Sequence, residues 1–325
     1  MAKARAIVKR RKAVRNIRKI TKTMQMIATA KFQKALKRAV GTKPFTLKVR
    51  ELVSELADSV GGDVEHPLLR KVDDRNRKNR IAVLVITANR GLAGAYNGNV
   101  LRASNAFIKQ QEAAGKSVDL YVVGKKGITF FNYQKRPIKA RFETNMDNPK
   151  FVEVERGAKD FMQQFVDGQL DAVHVGYMNF ISTGVQRPEV MQLLPLSGLN
   201  QALANIGKQT AEKEAQAAAG ALSTAPRPAV GAPGILGSET VYEFSPGAGE
   251  LLDDLLPLTV KTALYQCFLD AVTSENVARM VSMKSATDNA DKMVKALTMQ
   301  YNRARQSQIT TELSEIMGGV EAMKK

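Results

Sequence analysis

The sequence has no tryptophan and a single cysteine, Cys267. One cysteine cannot form an internal disulfide or a CxxC pair, which excludes redox switching within the chain and favours a reducing compartment. Long apolar runs are also missing. The longest spans about residues 81 to 86, whereas crossing a bilayer takes roughly 20 residues. The composition therefore predicts that the chain associates with membranes only peripherally.

Acidic residues are missing from the first 50 positions, which hold 17 lysines and arginines. This terminus accounts for almost all of the formal net charge of +18, since the rest of the chain is close to neutral. A block this basic implies an acidic partner, which is nucleic acid, an anionic lipid surface or acidic loops of another protein. A basic, acid-poor N-terminus is also typical of mitochondrial transit peptides, but those are rich in serine, and this stretch continues into a helical pattern.

Glycine and proline are missing from two long stretches, residues 1–40 and 258–317. In the first, apolar residues recur at helical intervals of three, four or seven positions: Ile7, Val14, Ile17, Ile20, Met24, Ile27 and Ala28. In the second, two series keep a seven-residue period: Met283, Ala290, Leu297 and Ala304, and Met280, Thr287, Val294 and Tyr301. Helices of roughly 60 and 90 Å are too long for a small core to bury. The two ends of the chain are therefore predicted to pair as an antiparallel coiled coil.

The middle of the chain has a different pattern, in which strand candidates alternate with helix candidates. The strands are expected at 81–87, 118–123, 171–180, 189–196 and 239–244, and the helices near 97–114, 124–133 and 150–167. This alternation predicts a small Rossmann-like α/β domain with a mostly parallel sheet. The predicted division is an N-terminal coiled-coil helix at 1–58, the α/β domain at 75–198 and 238–246, an Ala/Pro-rich insertion or linker at 199–237, and a C-terminal coiled-coil helix at 247–325.

Candidate sites for chemistry are weak. Residues 88–99, ANRGLAGAYNGN, follow the first strand, where a phosphate-binding loop would lie, but their glycines do not form GxGxxG, and a turn that packs a helix is favoured. The two histidines have no acidic or cysteine companions at ligand spacing. The sequence therefore predicts no catalytic, cofactor-binding or metal-binding residues. The alternative function is a basic coiled-coil protein that binds nucleic acid, although no recognised binding module accompanies the basic helix.

Three segments resemble the γ chains of F-type ATP synthases. They are RRKAVRNIRKITKTMQMIATAKFQKA at 10–35, ITANRGLAGAYNGNV at 86–100, and SENVARMVSMKSATDNADKMV with YNRARQSQITTELSEIMGG within 274–319. Their order and spacing also match, and the similarity covers nearly the whole chain except about 200–237. The resemblance implies the central rotor shaft of the F1Fo complex, which is not an enzyme on its own. It also implies the cytoplasmic face of a bacterial plasma membrane as the location.

The same resemblance implies the partners and the contact residues. The coiled coil would stand inside the ring of F1 α and β subunits, and its foot would bind the ε subunit and the ring of c subunits, with no role for nucleic acid. Proton flow would turn the shaft, and its asymmetry would change the nucleotide affinity of each catalytic β subunit in turn. By the family pattern, the residues that contact β subunits are Lys19, Lys22, Met24, Lys31, Arg279, Arg305, Gln306, Thr310 and Glu312.

Overall fold

The computed structural model describes residues 2–59, 66–69, 79–142, 144–196 and 248–323. In these ranges the chain forms five α-helices and five strands, most of them in a domain that lies between two very long helices. In chain order they are α1 Ala2–Ser59, β1 Arg80–Ile86, α2 Tyr96–Ala113, β2 Ser117–Val123, α3 Lys125–Tyr133, β3 Ala140–Arg141, α4 Phe151–Val166, β4 Ala172–Phe180, β5 Gln186–Leu194 and α5 Ala248–Met323.

The two terminal helices pair in antiparallel orientation, as the sequence predicted. The guanidinium of Arg11 lies 4.9 Å from the centre of the Tyr301 ring, and further along α1 the hydroxyl of Thr287 donates a 2.8 Å hydrogen bond to that of Thr21. With 58 and 76 residues, α1 and α5 are about 87 and 114 Å long at 1.5 Å per residue. The predicted coiled coil is therefore confirmed.

Helix α5 is longer than the stretch free of glycine and proline. It begins before Pro257 and continues past Gly318. A proline inside a helix removes one main-chain hydrogen bond, but here the neighbouring Leu252, Leu256 and Val260 are fully buried. Packing of this buried face holds the helix together across Pro257, because burial of large apolar side chains outweighs local propensity.

The sheet has the order β3-β2-β1-β4-β5. Strand β1 pairs in parallel with both β2 and β4, and β2 pairs in parallel with β3. Among the described strands, only β4 and β5 pair in antiparallel orientation. The mostly parallel α/β arrangement predicted from the sequence is confirmed, and all six residues from Ile81 to Ile86 are buried, as expected for a central strand covered on both faces.

Two apolar cores cover the two faces of this sheet. On one face, Leu84 and Ile86 pack with Phe161 of α4 and with Leu264 and Phe268 of α5. On the opposite face, side chains of β1 pack with α2 and α3, including Val100, Ile108 and Phe131. Because α5 belongs to the coiled coil and also to the first core, the domain is attached to the coil through a shared core.

Two strands differ from the sequence prediction. Strand β5 begins at Gln186, three residues earlier than expected, because Pro188 and the polar residues beside it conceal the pattern. Proline is tolerated there because β5 is at the edge of the sheet formed by the described strands. Strand β3 is only two residues long and carries no periodic pattern. The expected strand at 239–244 and the insertion at 199–237 lie outside the described residues.

None of the helices in the described ranges combines the length and the apolar character that a bilayer span requires.

Candidate functional site

The seam of the coiled coil contains buried side chains at intervals of seven residues on each helix, and several of them are small. On α1 the buried positions include Val14, Thr21, Ala28 and Ala35. On α5 the buried positions of the seam include Met283, Thr287, Ala290 and Leu297. Small residues let the two helices approach closely, and the threonine pair places a hydrogen bond inside the seam.

Helix α1 carries a second apolar stripe that α5 does not cover. Ile17, Ile20, Met24 and Ile27 are between 36 and 59% exposed. The spacing in the sequence predicts the helix but does not separate these residues from the buried Val14 and Ala28. At 100° per residue, positions three and six after a seam residue lie on the adjoining face of the helix, and the sequence alone does not show which of two adjoining stripes meets the partner helix.

Lys19 and Lys22 lie beside this exposed stripe, and Met24 belongs to it. Both lysines line a groove between the helices, and both are exposed. The groove also holds acidic groups of α5, and Arg18 forms an ion pair with Asp291 across it. These residues are therefore placed where an approaching acidic partner could meet them.

Lys31 and Arg279 are placed differently, because both are engaged within the chain. Lys31 donates a 2.9 Å hydrogen bond to Asp147, in the segment between β3 and α4. The side chain of Arg279 is only 13% exposed and lies 2.6 Å from the carboxylate of Glu275. The hydrogen bond from Lys31 lowers the pKa of Asp147, whereas burial raises the pKa of Glu275 although the nearby Arg279 opposes the shift.

Arg305, Gln306, Thr310 and Glu312 lie near the far end of α5 and are exposed. Thr310 donates to the main-chain oxygen of Gln306 at 3.0 Å, and Glu312 accepts a 2.7 Å hydrogen bond from Gln308. The structure therefore separates the predicted contact residues into three groups: an exposed group on α1, an engaged pair beside the α/β domain, and an exposed group on the end of α5.

An apolar surface that was not predicted from the sequence lies at this end of α5, residues 309–323, here called the tip. Extending the antiparallel register of Thr21 and Thr287 places Ala2 opposite Gln306, so the tip lies beyond the start of α1. Every side chain of the tip that the structure describes is exposed. Its large apolar residues are Ile309, Leu313, Ile316, Met317, Val320 and Met323. They fall within an arc of roughly 120° at 100° per residue, and this periodicity was the signal that could have revealed them.

The glycine-rich segment after β1, residues 88–95 and here called the glycine loop, packs against α5. A Cβ atom at Gly94, whose φ is +54°, would lie 3.8 Å from the carbonyl oxygen of Ala278. Asn97 anchors the start of the loop by accepting a 2.9 Å hydrogen bond from the amide of Ala88. In a parallel α/β sheet this edge is the usual place for a ligand, but here the loop meets the coiled coil.

In the described part of the chain there is no cluster of three or more His, Cys, Asp or Glu residues that could hold a metal ion. Cys267 is buried, and burial raises the pKa of its thiol well above the usual value.

Comparison with known proteins gives consistent matches over the full chain. The protein family described as ATP synthase matches residues 3–323. The ATP synthase gamma chain of Rhodopirellula baltica is 40% identical over 324 residues, with 100% of both chains covered, and that of Leptospira biflexa is 37% identical, with 99% of this chain and 100% of the relative covered.

Solved structures with the same fold include the rotor of the Euglena gracilis mitochondrial ATP synthase. It aligns with a TM-score of 0.59 at 17% identity, covering 95% of this chain and 99% of the other. The central stalk and c-ring structure of the Tetrahymena thermophila mitochondrial ATP synthase aligns with a TM-score of 0.53 at 20% identity, covering 82% and 99%.

Proposed function

This chain belongs to the ATP synthase family, among its γ chains, and on this basis we propose that it is the central rotor shaft of an F1Fo complex. In this role it couples proton-driven rotation of a ring of c subunits to the conformational cycle of the catalytic β subunits. The observation that carries the proposal is the long coiled coil, which extends from the α/β domain and ends in an unpaired helix.

The exposed surfaces of the coil fit a shaft that other subunits surround. A large exposed apolar patch on a protein surface marks a binding surface. The tip supplies one such patch, and the stripe from Ile17 to Ile27 supplies another. We propose that α and β subunits enclose both surfaces.

The charge of α1 fits the same arrangement. Lys19 and Lys22 project from an acid-free segment and would face acidic loops of β subunits. Exposed ion pairs contribute only about 0 to 1 kcal/mol each, and a lysine is a mobile point charge on a flexible stem. Contacts that are weak and easily replaced suit a part that must turn past three similar partners.

The proposed β-contact residues are Lys19, Lys22, Met24, Lys31, Arg279, Arg305, Gln306, Thr310 and Glu312. Seven of them are exposed in the structure. Lys31 and Arg279 are held by partners within the chain, so any contact of theirs with a β subunit would compete with those bonds.

The foot of the shaft, meaning the α/β domain and the adjoining part of the coil, would bind the ε subunit and the c-ring. The shaft would then lie peripherally at the cytoplasmic face of a bacterial plasma membrane. We propose that the chain has no active site of its own and is a component of the enzyme complex, in which the catalytic sites belong to β subunits.

The proposal is tested by purifying the tagged chain from its own membranes and identifying what accompanies it. Recovery of α, β, ε and c subunits together with ATPase activity is the expected result. Recovery of the chain alone, or with nucleic acid that dissociates as salt is raised, would contradict the rotor function and favour the nucleic-acid alternative.

A further inference from the structure

The glycine loop is held to α5 by one partly buried arginine. Arg279 donates from Nη2 to the carboxylate of Glu275 at 2.6 Å. Its Nε and Nη2 atoms also lie 3.4 Å from the carbonyl oxygen of Gly91. Glu275 is only 6% exposed. A planar guanidinium can donate hydrogen bonds to a carboxylate and a carbonyl at the same time, because its five N–H donors have a fixed geometry.

The same loop is linked electrostatically to α1. Asp147 accepts the hydrogen bond from Lys31 on α1, and its other carboxylate oxygen lies 3.8 Å from the guanidinium of Arg90. Asp147 therefore joins a cation of the coil to a cation of the glycine loop. The interaction from Arg279 of α5 reaches Gly91, and the one from Lys31 of α1 reaches the adjacent Arg90 through Asp147.

Apolar packing surrounds these polar links. The ring of Phe32 on α1 lies 6.1 Å from that of Phe180 at the end of β4, and both pack with Val277 of α5. The hydroxyl of Ser274 donates to the carbonyl oxygen of Met178 at 3.3 Å. The glycine loop is thus part of the junction where the carboxyl edge of the sheet meets both long helices.

We infer that Arg279 and Asp147 are positioning residues that fasten the glycine loop to α5 and α1 respectively, so that the α/β domain and the coiled coil turn as one body. Arg279 then acts through Gly91 and Glu275 inside the chain, before any contact with another subunit. This inference goes beyond the proposed function, and only its consequence for coupling rests on that function.

The two links differ in strength because they differ in burial. Removing one partner of a buried pair leaves an uncompensated charge, which is costly, so loss of Arg279 should open the loop strongly. The side chains of Lys31, Asp147 and Arg90 are 39%, 48% and 74% exposed, and an exposed pair contributes little. Loss of Asp147 should therefore open the loop only slightly.

The first test measures amide hydrogen exchange in residues 89–95 of the purified full chain, without other subunits. Arg279→Gln should speed this exchange about tenfold, and Asp147→Asn about twofold to fivefold. Glu275→Gln should act like Arg279→Gln, and the double variant should exchange no faster, because both remove the same interaction. Lys292→Gln, which removes an exposed charge of α5, is the matched control and should leave the loop unchanged.

Exchange that stays at the parent rate in Arg279→Gln would overturn the inference. Should that variant lose helicity, Arg279→Lys replaces it, since lysine keeps the charge beside Glu275 but lacks the fork that reaches Gly91. This variant should exchange about threefold faster than the parent, and parent-like exchange would again contradict the assignment.

The second test measures proton pumping per ATP hydrolysed in inverted membrane vesicles that contain the assembled complex. Asp147→Asn should lower this ratio, and Asp147→Glu, which keeps the charge, should restore it. An unchanged ratio alongside faster loop exchange would overturn the positioning role. Failure of the parent chain to assemble would instead contradict the proposed function, while the exchange result would stand.

Discussion

The position of Gly124, between β2 and α3, requires glycine both because of its backbone conformation and because Thr87 lies against it. Its φ of +88° lies in the region that side chains avoid, and a Cβ atom there would come 2.1 Å from the carbonyl oxygen of Thr87. The close approach lets the hydroxyl of Thr87 donate to the oxygen of Val123 at 2.6 Å and accept from the amide of Gly127 at 2.9 Å. These bonds join the ends of β1 and β2.

Substitution Gly124→Ala is expected to lower the free energy of unfolding by about 2 to 4 kcal/mol, from backbone strain and overpacking. Gly98 is the matched control, because it lies in α2 with nothing within 4 Å of a Cβ position. Gly98→Ala should raise stability by about 0.5 to 1 kcal/mol. Urea denaturation measures both, and equal effects of the two substitutions would contradict this account.

His174 on β4 makes the stability of the domain depend on pH. Burial, with a smaller effect of Lys116, lowers its pKa to about 4, and its ring lies 4.8 Å from that of Phe107. Since the unfolded chain binds a proton more readily, stability should fall by roughly 1 to 3 kcal/mol as pH decreases from about 6.5 to about 4.

In His174→Leu this loss should be smaller. The pKa of His66 is also lowered by burial and adds a slope of the same sign to both proteins, so the difference between them isolates His174. Thermal unfolding midpoints recorded from pH 7 to pH 4 make the comparison, and parallel curves would exclude the assigned role of His174.

Single residues also mark the limit of what the sequence could predict. The motif similarity predicts that Lys31 and Arg279 contact β subunits, but it does not show that both side chains bond to partners within the chain. Their partners Asp147 and Gly91 are 116 and 188 residues away in the chain, and no local pattern joins them. The contacts follow from how the sheet meets the coil.

At the scale of elements, the sequence predicted the bounds of a helix or strand wherever a single hydrophobic pattern specified that element. The buried run of β1, and the periodic helices α2 and α4, lie within one residue of their expected bounds. The choice between the two apolar stripes of α1 was not available from the sequence, because it depends on the register against α5. A short strand such as β3 is specified by its neighbour β2 rather than by its own residues.

Leu297 tests the continuity of α5, since it is buried in the seam with Val14 and Ala290. Leu297→Pro removes a helix hydrogen bond and costs roughly 3 kcal/mol or more, so the shaft should kink and proton-driven ATP synthesis in membrane vesicles should be lost. Leu297→Ala keeps the helix and removes only packing, at about 2 kcal/mol, and should retain synthesis. Normal synthesis in the proline variant would refute a rigid shaft.

At the scale of the whole molecule, the tip offers a contact surface that plays no part in folding the chain. In the described part of the chain Leu313 and Ile316 are 56% and 65% exposed. Leu313→Asp and Ile316→Asp should therefore leave the unfolding midpoint of the isolated chain unchanged. In the complex they should reduce the recovery of α and β subunits with the tagged chain, because each places a charge in an apolar contact.

Thr311→Asp is the control for these substitutions, since Thr311 is exposed on the opposite face of the same helix at 100° per residue. Recovery should remain close to that of the parent. If all three substitutions reduced recovery equally, added charge would be the cause, and the apolar face of the tip would have no special role.

The different lengths of α1 and α5 make the molecule a tapered rod. Two helices packed side by side resist bending and twisting much more than one, so stiffness drops where α1 begins and α5 continues alone. A sideways force on the free end then bends the unpaired part of α5, which is about four helical turns long. The part in which the two helices are paired bends and twists much less and transmits torque. The unpaired tip is therefore the flexible end of the rod, and the paired section of α1 and α5 is the stiff part that carries torque.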